Sequence, residues 1–345
     1  MFFASDNAGP AHPAVMQALA DANAGYALGY GADAIMDRVR DRIRDLFEAP
    51  QAAVYLVATG TAANALALAS LCNPWQTIFC TKMAHINVDE CNAPEFYSGA
   101  KLTVVPDEAG RMTPEGLRAA IEAEETRGVH GPQRGPVSIT NVTEEGTLYD
   151  TDQIASLSAI ARDHRLPVHL DGARFANAQV ALGCSAAEMT WKAGVDAVSF
   201  GGTKNGCMGV EAVVLFDPEK AWEFELRRKR GGHLFSKHRY LSAQMDAYLE
   251  GDLWLDLARA SNAACARLAE GLRGQPDVAF VSDPQANIIF FRAPRALHRK
   301  LQTGGAVYYL MDGTRDGAED APLTGRLVCD WSMTEAGVDA FLALL

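Results

Sequence analysis

Apolar and polar positions follow two different periods along the first two thirds of the chain. Val39, Ile43, Leu46 and Phe47 recur at helical spacing, with charged residues between them, and predict an amphipathic helix. The stretches 52–57, 77–80, 102–105, 136–141, 167–170, 197–200 and 211–216 are short, largely apolar and predict strands. Between them, 61–71 reads as a mostly apolar helix, 114–124 as another, and 152–165 as one whose Ile154, Leu157, Ile160 and Ala161 share a face. That alternation predicts an α/β fold, a mostly parallel sheet flanked by helices on both faces, with reactive side chains beyond the carboxyl ends of the strands. After about residue 235 the pattern changes to a helical run over 241–272, short strands at 287–292 and 326–331, and a final helix. The chain is therefore expected to divide into an N-terminal arm with a large domain (1–235) and a smaller C-terminal α+β domain (236–345). The polar, Gly-rich stretch 304–324 reads as a long loop.

With 345 residues, 48% hydrophobic and 21% charged, the chain can bury a sizeable core. A net charge of -12, with no Lys- or Arg-rich tract, disfavours nucleic acid and anionic membrane surfaces as partners. The first residues carry no basic stretch followed by an apolar one, and no apolar run is long enough to span a bilayer, so a cytoplasmic location is expected. The 7 cysteines show no CxxC spacing and predict neither a disulfide framework nor a metal site.

Two positions change this picture. Asp171 follows the apolar run Val168-His169-Leu170, where an unpaired carboxylate would be costly. Lys204 lies in Gly201-Gly202-Thr203-Lys204-Asn205-Gly206, just after another strand, among glycines that allow close backbone approach. Read separately, the first is a salt-bridged or capping Asp and the second a surface lysine. Together they form a pair that can grip pyridoxal phosphate (PLP), the acid at the ring nitrogen and the lysine at the aldehyde. Thr59-Gly60-Thr61-Ala62-Ala63-Asn64 joins a strand to a helix, so the amides of Gly60, Thr61 and Ala62 face an anion at the positive end of the helix dipole. A simple N-cap by a threonine is the plainer reading of that turn. His85 reads as a loop histidine or as a flat ring able to stack on a planar cofactor and exchange protons near neutral pH.

These segments, with Phe3-Ala4-Ser5-Asp6-Asn7 at the start and Gly325-Arg326-Leu327 near the end, resemble the low-specificity L-threonine aldolases. That family is a branch of the PLP-dependent fold-type I, aspartate aminotransferase-like, superfamily. The resemblance runs over nearly the whole chain and implies that Lys204 holds PLP as a Schiff base. It also implies that Asp171 pairs with the pyridine nitrogen, His85 stacks on the ring, and Gly60 and Thr61 bind the phosphate. Arg174 would contact the phenolic-oxygen side of the cofactor and lie near the substrate, while Ser5 and Arg326 would clamp the substrate carboxylate. The resemblance further implies a homotetramer, a dimer of dimers in which a neighbouring subunit completes each site. Tyr30 and the cations Arg228, Lys229 and Lys237 are the candidates for that role.

The activity so implied is retro-aldol cleavage of L-threonine, L-allo-threonine and related β-hydroxy-α-amino acids such as phenylserine to glycine and an aldehyde. His85, a water or Glu144 could accept the hydroxyl proton. An aminotransferase or a β-eliminating lyase of the same fold, or a non-enzymatic relative, are the alternatives. Two departures stand out. Relatives carry Thr-His-Asn where this chain reads Asn141-Val142-Thr143-Glu144, and an acidic residue soon after Tyr-Gly, where this chain reads Tyr30-Gly31-Ala32-Asp33.

Overall fold

A computed structural model describes residues 1–345. Strands β1 (Ala53–Val57), β2 (Gln76–Thr81) and β3 (Lys101–Val105) are followed by the small hairpin of β4 (Asp107–Glu108) and β5 (Arg111–Met112). Then come β6 (Gln133–Thr140), β7 (Val168–Gly172), β8 (Ala197–Gly201) and β9 (Glu211–Leu215). The large sheet has the order β1-β9-β8-β7-β6-β2-β3. The pairs β3/β2, β2/β6, β6/β7 and β7/β8 are parallel, and only β9 runs against its neighbours β8 and β1. The mostly parallel α/β fold expected from the sequence is the fold observed.

Strands β1, β7, β8 and β9 are buried along their whole length, which is why they read as apolar runs without a polar alternate position. The helix Gly60–Leu71 has no polar face for the same reason. It lies between the sheet and the helices Ala93–Ser98 and Ala221–Arg230, and all its residues from Ala62 to Ser70 are buried.

The second sheet comprises β10 (Ala279–Phe280), β11 (Ile288–Pro294), β12 (Tyr309–Leu310) and β13 (Pro322–Val328), in the order β10-β11-β13-β12. Its β13 begins four residues before the expected strand at 326, and β12 lies inside the stretch read as a loop; that stretch is polar because it lies at the protein surface. The helical run read over 241–272 is two helices, Arg239–Leu249 and Leu253–Arg273, broken where Gly251 and Asp252 both adopt left-handed backbone (φ 56° and 61°).

Packing divides the chain less simply than the pattern did. Leu241, Met245, Tyr248, Trp254 and Leu257, beyond residue 235, join the core under the large sheet. Phe3, by contrast, packs with Leu268, Phe291, Leu327 and Phe341 under the small one. The arm reaches it because the Phe3 N–H donates to Val307 O (2.8 Å) and the Val328 N–H donates to Phe3 O (2.8 Å). The next residues, Ser5 to Asn7, are thereby delivered to the boundary between the two cores. No helix is long and apolar enough to cross a membrane.

Candidate active site

Five chain segments end at one edge of the large sheet. Register places Thr140 beside Asp171, Gly172 beside Phe200, and Gly201 beside Glu211, which in turn faces Val57. A cavity of about 240 Å³ opens there, lined among others by Asn7, Gly60, Thr61, His85, Asp171 and Lys204. Of the residues singled out in the sequence, Gly60, Thr61, His85, Asp171 and Lys204 meet there, whereas Ser5, Ala62, Glu144, Arg174 and Arg326 do not line it.

Lys204 is carried by a short turn (Thr203–Asn205) fastened on all sides. Asn205 Nδ2 donates to Tyr248 Oη and to Trp254 O (2.8 Å each), Tyr248 Oη donates to Gly201 O (3.2 Å), and the Val210 N–H donates to Thr203 Oγ1 (3.1 Å). Glycine is obligatory at two points of this turn. A Cβ on Gly201 would lie 2.4 Å from Ala173 O, and Gly206 has φ 101° with Leu257 Cδ1 at 2.7 Å from its would-be Cβ.

Asp171 is buried, and its two oxygens are occupied from the protein side: Oδ2 accepts from Asn64 Nδ2 (2.9 Å) and Oδ1 from the Ala173 N–H (3.0 Å). Asn64 also donates to Glu90 Oε1 (2.9 Å), and the same oxygen meets His85 Nδ1 (2.8 Å). Asp171, Asn64, Glu90 and His85 therefore form one hydrogen-bonded chain. Its interior members, Asn64 and Glu90, stand in segments that carry the family resemblance, 59–64 and Ala84-His85 with Asp89-Glu90, but only the fold shows that they join Asp171 to His85. The Glu90 hydrogen bond raises the His85 pKa, outweighing burial, and burial raises that of Glu90.

A second histidine, His169, lies two residues before Asp171 but is wholly buried between Ser138 Oγ and Ser199 Oγ (3.0 Å each). Burial pushes its pKa down to about 4, so it is a neutral strut linking β6, β7 and β8.

The turn at Thr59 combines both readings offered for it. Thr59 Oγ1 caps the helix by accepting from the Ala62 N–H (3.2 Å), and the Ala63 N–H donates to Thr59 O (3.1 Å). The Ala62 amide is thus spent on the cap, which removes it from the set expected to face an anion. The N–H groups of Gly60 and Thr61 remain for a ligand, and the space above Gly60 is open, with nothing within 4 Å of a would-be Cβ.

Two arginines flank this cavity. Arg174 is buried and gripped by Asp6 from the arm, Nε to Oδ2 at 2.6 Å and Nη2 to Oδ1 at 3.0 Å, while Asn287 Nδ2 donates to the same Asp6 Oδ2 (3.1 Å). Burial would raise the Asp6 pKa, but the charges of Arg174 and Lys204 and the hydrogen bonds from Arg174 and Asn287 together outweigh it, and the carboxyl is held below its ordinary value. One residue of the arm thereby ties the large domain to the start of β11. Arg326 lies on β13 over the ring of Phe290 (6.0 Å), and burial, then the nearby Arg174 charge, lowers its pKa. The charge of Glu144 acts on His85, Arg174 and Arg326 together, which puts this loop acid at the same place. Ser5 caps the turn Asp6–Ala8 by accepting from the Asn7 N–H (3.1 Å).

The expected interface group is not gathered here. Arg228 is buried, stacked on Tyr55 (4.9 Å) and donating to Leu56 O (3.3 Å), and Lys229 lies over the exposed Tyr30 ring (4.9 Å). None of Tyr30, Arg228, Lys229 and Lys237 lines the Lys204 cavity of its own chain.

The chain is similar to known proteins over nearly its whole length. The profile of the beta-eliminating lyases matches residues 3–294. A low-specificity L-threonine aldolase of Pseudomonas aeruginosa is 39% identical over 331 residues, 95% of this chain and 92% of that protein. The solved structure of Leishmania major threonine aldolase superposes with a TM-score of 0.92 at 25% identity, covering 99% of this chain and 98% of that one. Sphingomonas wittichii serine palmitoyltransferase, 15% identical with a TM-score of 0.71 over 100% of this chain and 86% of its own, shares the fold.

Proposed function

The chain belongs to the beta-eliminating lyase family, and from that premise we propose that it is a PLP-dependent aldehyde-lyase. It cleaves L-threonine, L-allo-threonine and related β-hydroxy-α-amino acids, phenylserine among them, to glycine and an aldehyde. The observation that carries this reading is the meeting of Lys204, Asp171 and the open helix start at Gly60 and Thr61 in one cavity. Each end of PLP finds a group of the right chemistry there. Asp171 would hold the ring nitrogen, Lys204 the aldehyde, and the free amides of Gly60 and Thr61 the phosphate, with the partly open His85 lining the same cavity. When bound, the cofactor supplies the electron sink that takes up the pair left on Cα as the Cα–Cβ bond breaks.

The chain's own residues do the rest. Arg326, with Ser5, binds the substrate carboxylate and so fixes the orientation of Cα, and Asp6 holds Arg174 in place beside them. With Nδ1 turned to Glu90, a neutral His85 keeps its Nε2 lone pair free to accept the substrate hydroxyl proton. Glu144 lies on the same side as the second acid able to hold that hydroxyl. The same reading includes a cytoplasmic dimer of dimers in which Tyr30, Arg228, Lys229 and Lys237 serve the site of a neighbouring subunit.

Purified protein supplied with PLP and assayed against L-threonine, L-allo-threonine, phenylserine and their D-isomers tests the reading. The expected products are glycine and aldehyde; a keto acid and ammonia, or a transaminated product, would replace it with the other chemistries of the fold. Strict L preference is expected because the lysine, the carboxylate clamp and the ring face fix three directions at Cα. At Cβ, one or two polar contacts, each worth about 0.5–1.5 kcal/mol net, separate epimers by only ~1–3 kcal/mol, so kcat/KM for the two L-epimers should differ by less than about two-hundredfold. Robust cleavage of D-threonine would contradict the carboxylate clamp.

The pH profile tests His85 separately. Glu90→Gln removes the carboxylate that raises the His85 pKa, so His85 loses its proton at lower pH. Because the neutral ring is the active form, the acid limb of the kcat/KM profile should move to lower pH while the plateau falls. A limb that stays in place would assign the proton transfer to Glu144 or water.

A further inference from the structure

The helix Gly60–Leu71 is apolar along its buried length except for Asn64 and Ser70. Ser70 bonds within the helix, its hydroxyl donating to Leu66 O (2.9 Å). Asn64 reaches out of it instead. Its single amide nitrogen donates to two acids from other parts of the chain, Asp171 Oδ2 at the end of β7 and Glu90 Oε1 beyond the turn His85–Val88 (2.9 Å each). Two oxygens bonded to one nitrogen lie no more than twice that distance apart, so two buried carboxylates stand side by side. Repulsion at such range, away from water, favours a proton on one of them.

Packing does not account for Asn64. Its Oδ1 is buried without a partner, as is Glu90 Oε2, and an apolar side chain would suit this stretch of helix better. Turned over, the amide would set Oδ1 against both acids, so they fix its orientation. The same Glu90 Oε1 meets His85 Nδ1 (2.8 Å). The charged groups around His85 are Glu90, Asp171 and Glu144, and those around Glu90 are His85 and Asp171. We propose that Asn64 is a positioning residue that keeps Asp171 and Glu90 ionised side by side by giving one N–H to each. Without these bonds Glu90, next to a second acid, becomes a stronger base, and the Glu90–His85 pair keeps its last proton to higher pH. The ring that must be neutral to accept a proton then stays charged near neutrality. For turnover this role rests on the proposed function; for the titration of His85 it does not.

Two measurements on the full-length protein test it. One is NMR of ring-labelled histidine in the cofactor-free protein, with the His85 signal assigned by its loss in His85→Asn. The other is kcat/KM for L-threonine against pH in the presence of PLP. In Asn64→Ala both the His85 titration and the acid limb should move up by about one pH unit, the direction opposite to that expected for Glu90→Gln. Asn64→Leu, which fills the space but donates nothing, should move them the same way. Asn64→Ala placed in the Glu90→Gln background should move them no further, because the acid it acts on is gone. A wild-type His85 titration in Asn64→Ala or in Asn64→Leu, or an upward move that persists in the Glu90→Gln background, would overturn the proposal. If no glycine and aldehyde form from any substrate, the proposed function falls, while the His85 titration still decides the role of Asn64.

Discussion

Lys204→Ala is expected to leave a folded protein that binds PLP through its phosphate but shows no visible absorbance of lysine-bound cofactor, with turnover reduced by roughly a thousandfold or more. The loss is large because one side chain both anchors the cofactor and exchanges with the substrate amine, and no second lysine lines the cavity. Folding should survive. The turn that carries Lys204 is held by Asn205, Thr203 and Tyr248, not by the lysine side chain. Absorbance spectra with and without added amino acid, together with glycine formation, provide the check. Wild-type turnover in this variant would show that the lysine is misassigned.

Arg326→Leu is expected to lower kcat/KM by roughly a hundredfold while the cofactor absorbance is unchanged. The guanidinium is partly buried, so a charge-assisted pair with the substrate carboxylate is worth about 2–3 kcal/mol there. Leucine fills much of the same space over the Phe290 ring, and removing one of two neighbouring cations relieves the repulsion with Arg174. The variant should therefore be as stable as the wild type, which a thermal melt checks alongside the kinetics. If instead PLP is lost and the reconstituted protein regains full catalytic efficiency, Arg326 serves the cofactor and the substrate carboxylate must be bound elsewhere, with Arg174 as the remaining cation.

Local sequence determined a good deal of this protein. Buried strands such as Ala53–Val57 and Ala197–Gly201 announce themselves as unbroken apolar runs because both faces are covered. The turns bearing Gly60 and Lys204 are legible because a glycine is needed wherever backbone comes close to backbone or a ligand, as the 2.4 Å approach at Gly201 shows. Asp171 drew attention because a carboxylate ending an apolar strand must have a partner. What the pattern could not tell is which distant groups would supply such partners. Hydrogen-bond satisfaction between residues far apart in the chain leaves no local trace, so Asn64 and Glu90 are visible as members of motifs but not as the link between Asp171 and His85. Asp6 read as part of a motif, but its pairing with Arg174 and Asn287 depends on the arm being pinned between Val307 and Val328. The reversed direction of β9 was equally invisible. An apolar run has no sense, and only the antiparallel pairing of β9 brings Glu211, at the start of its strand, to the edge where Asp171 and Lys204 end theirs.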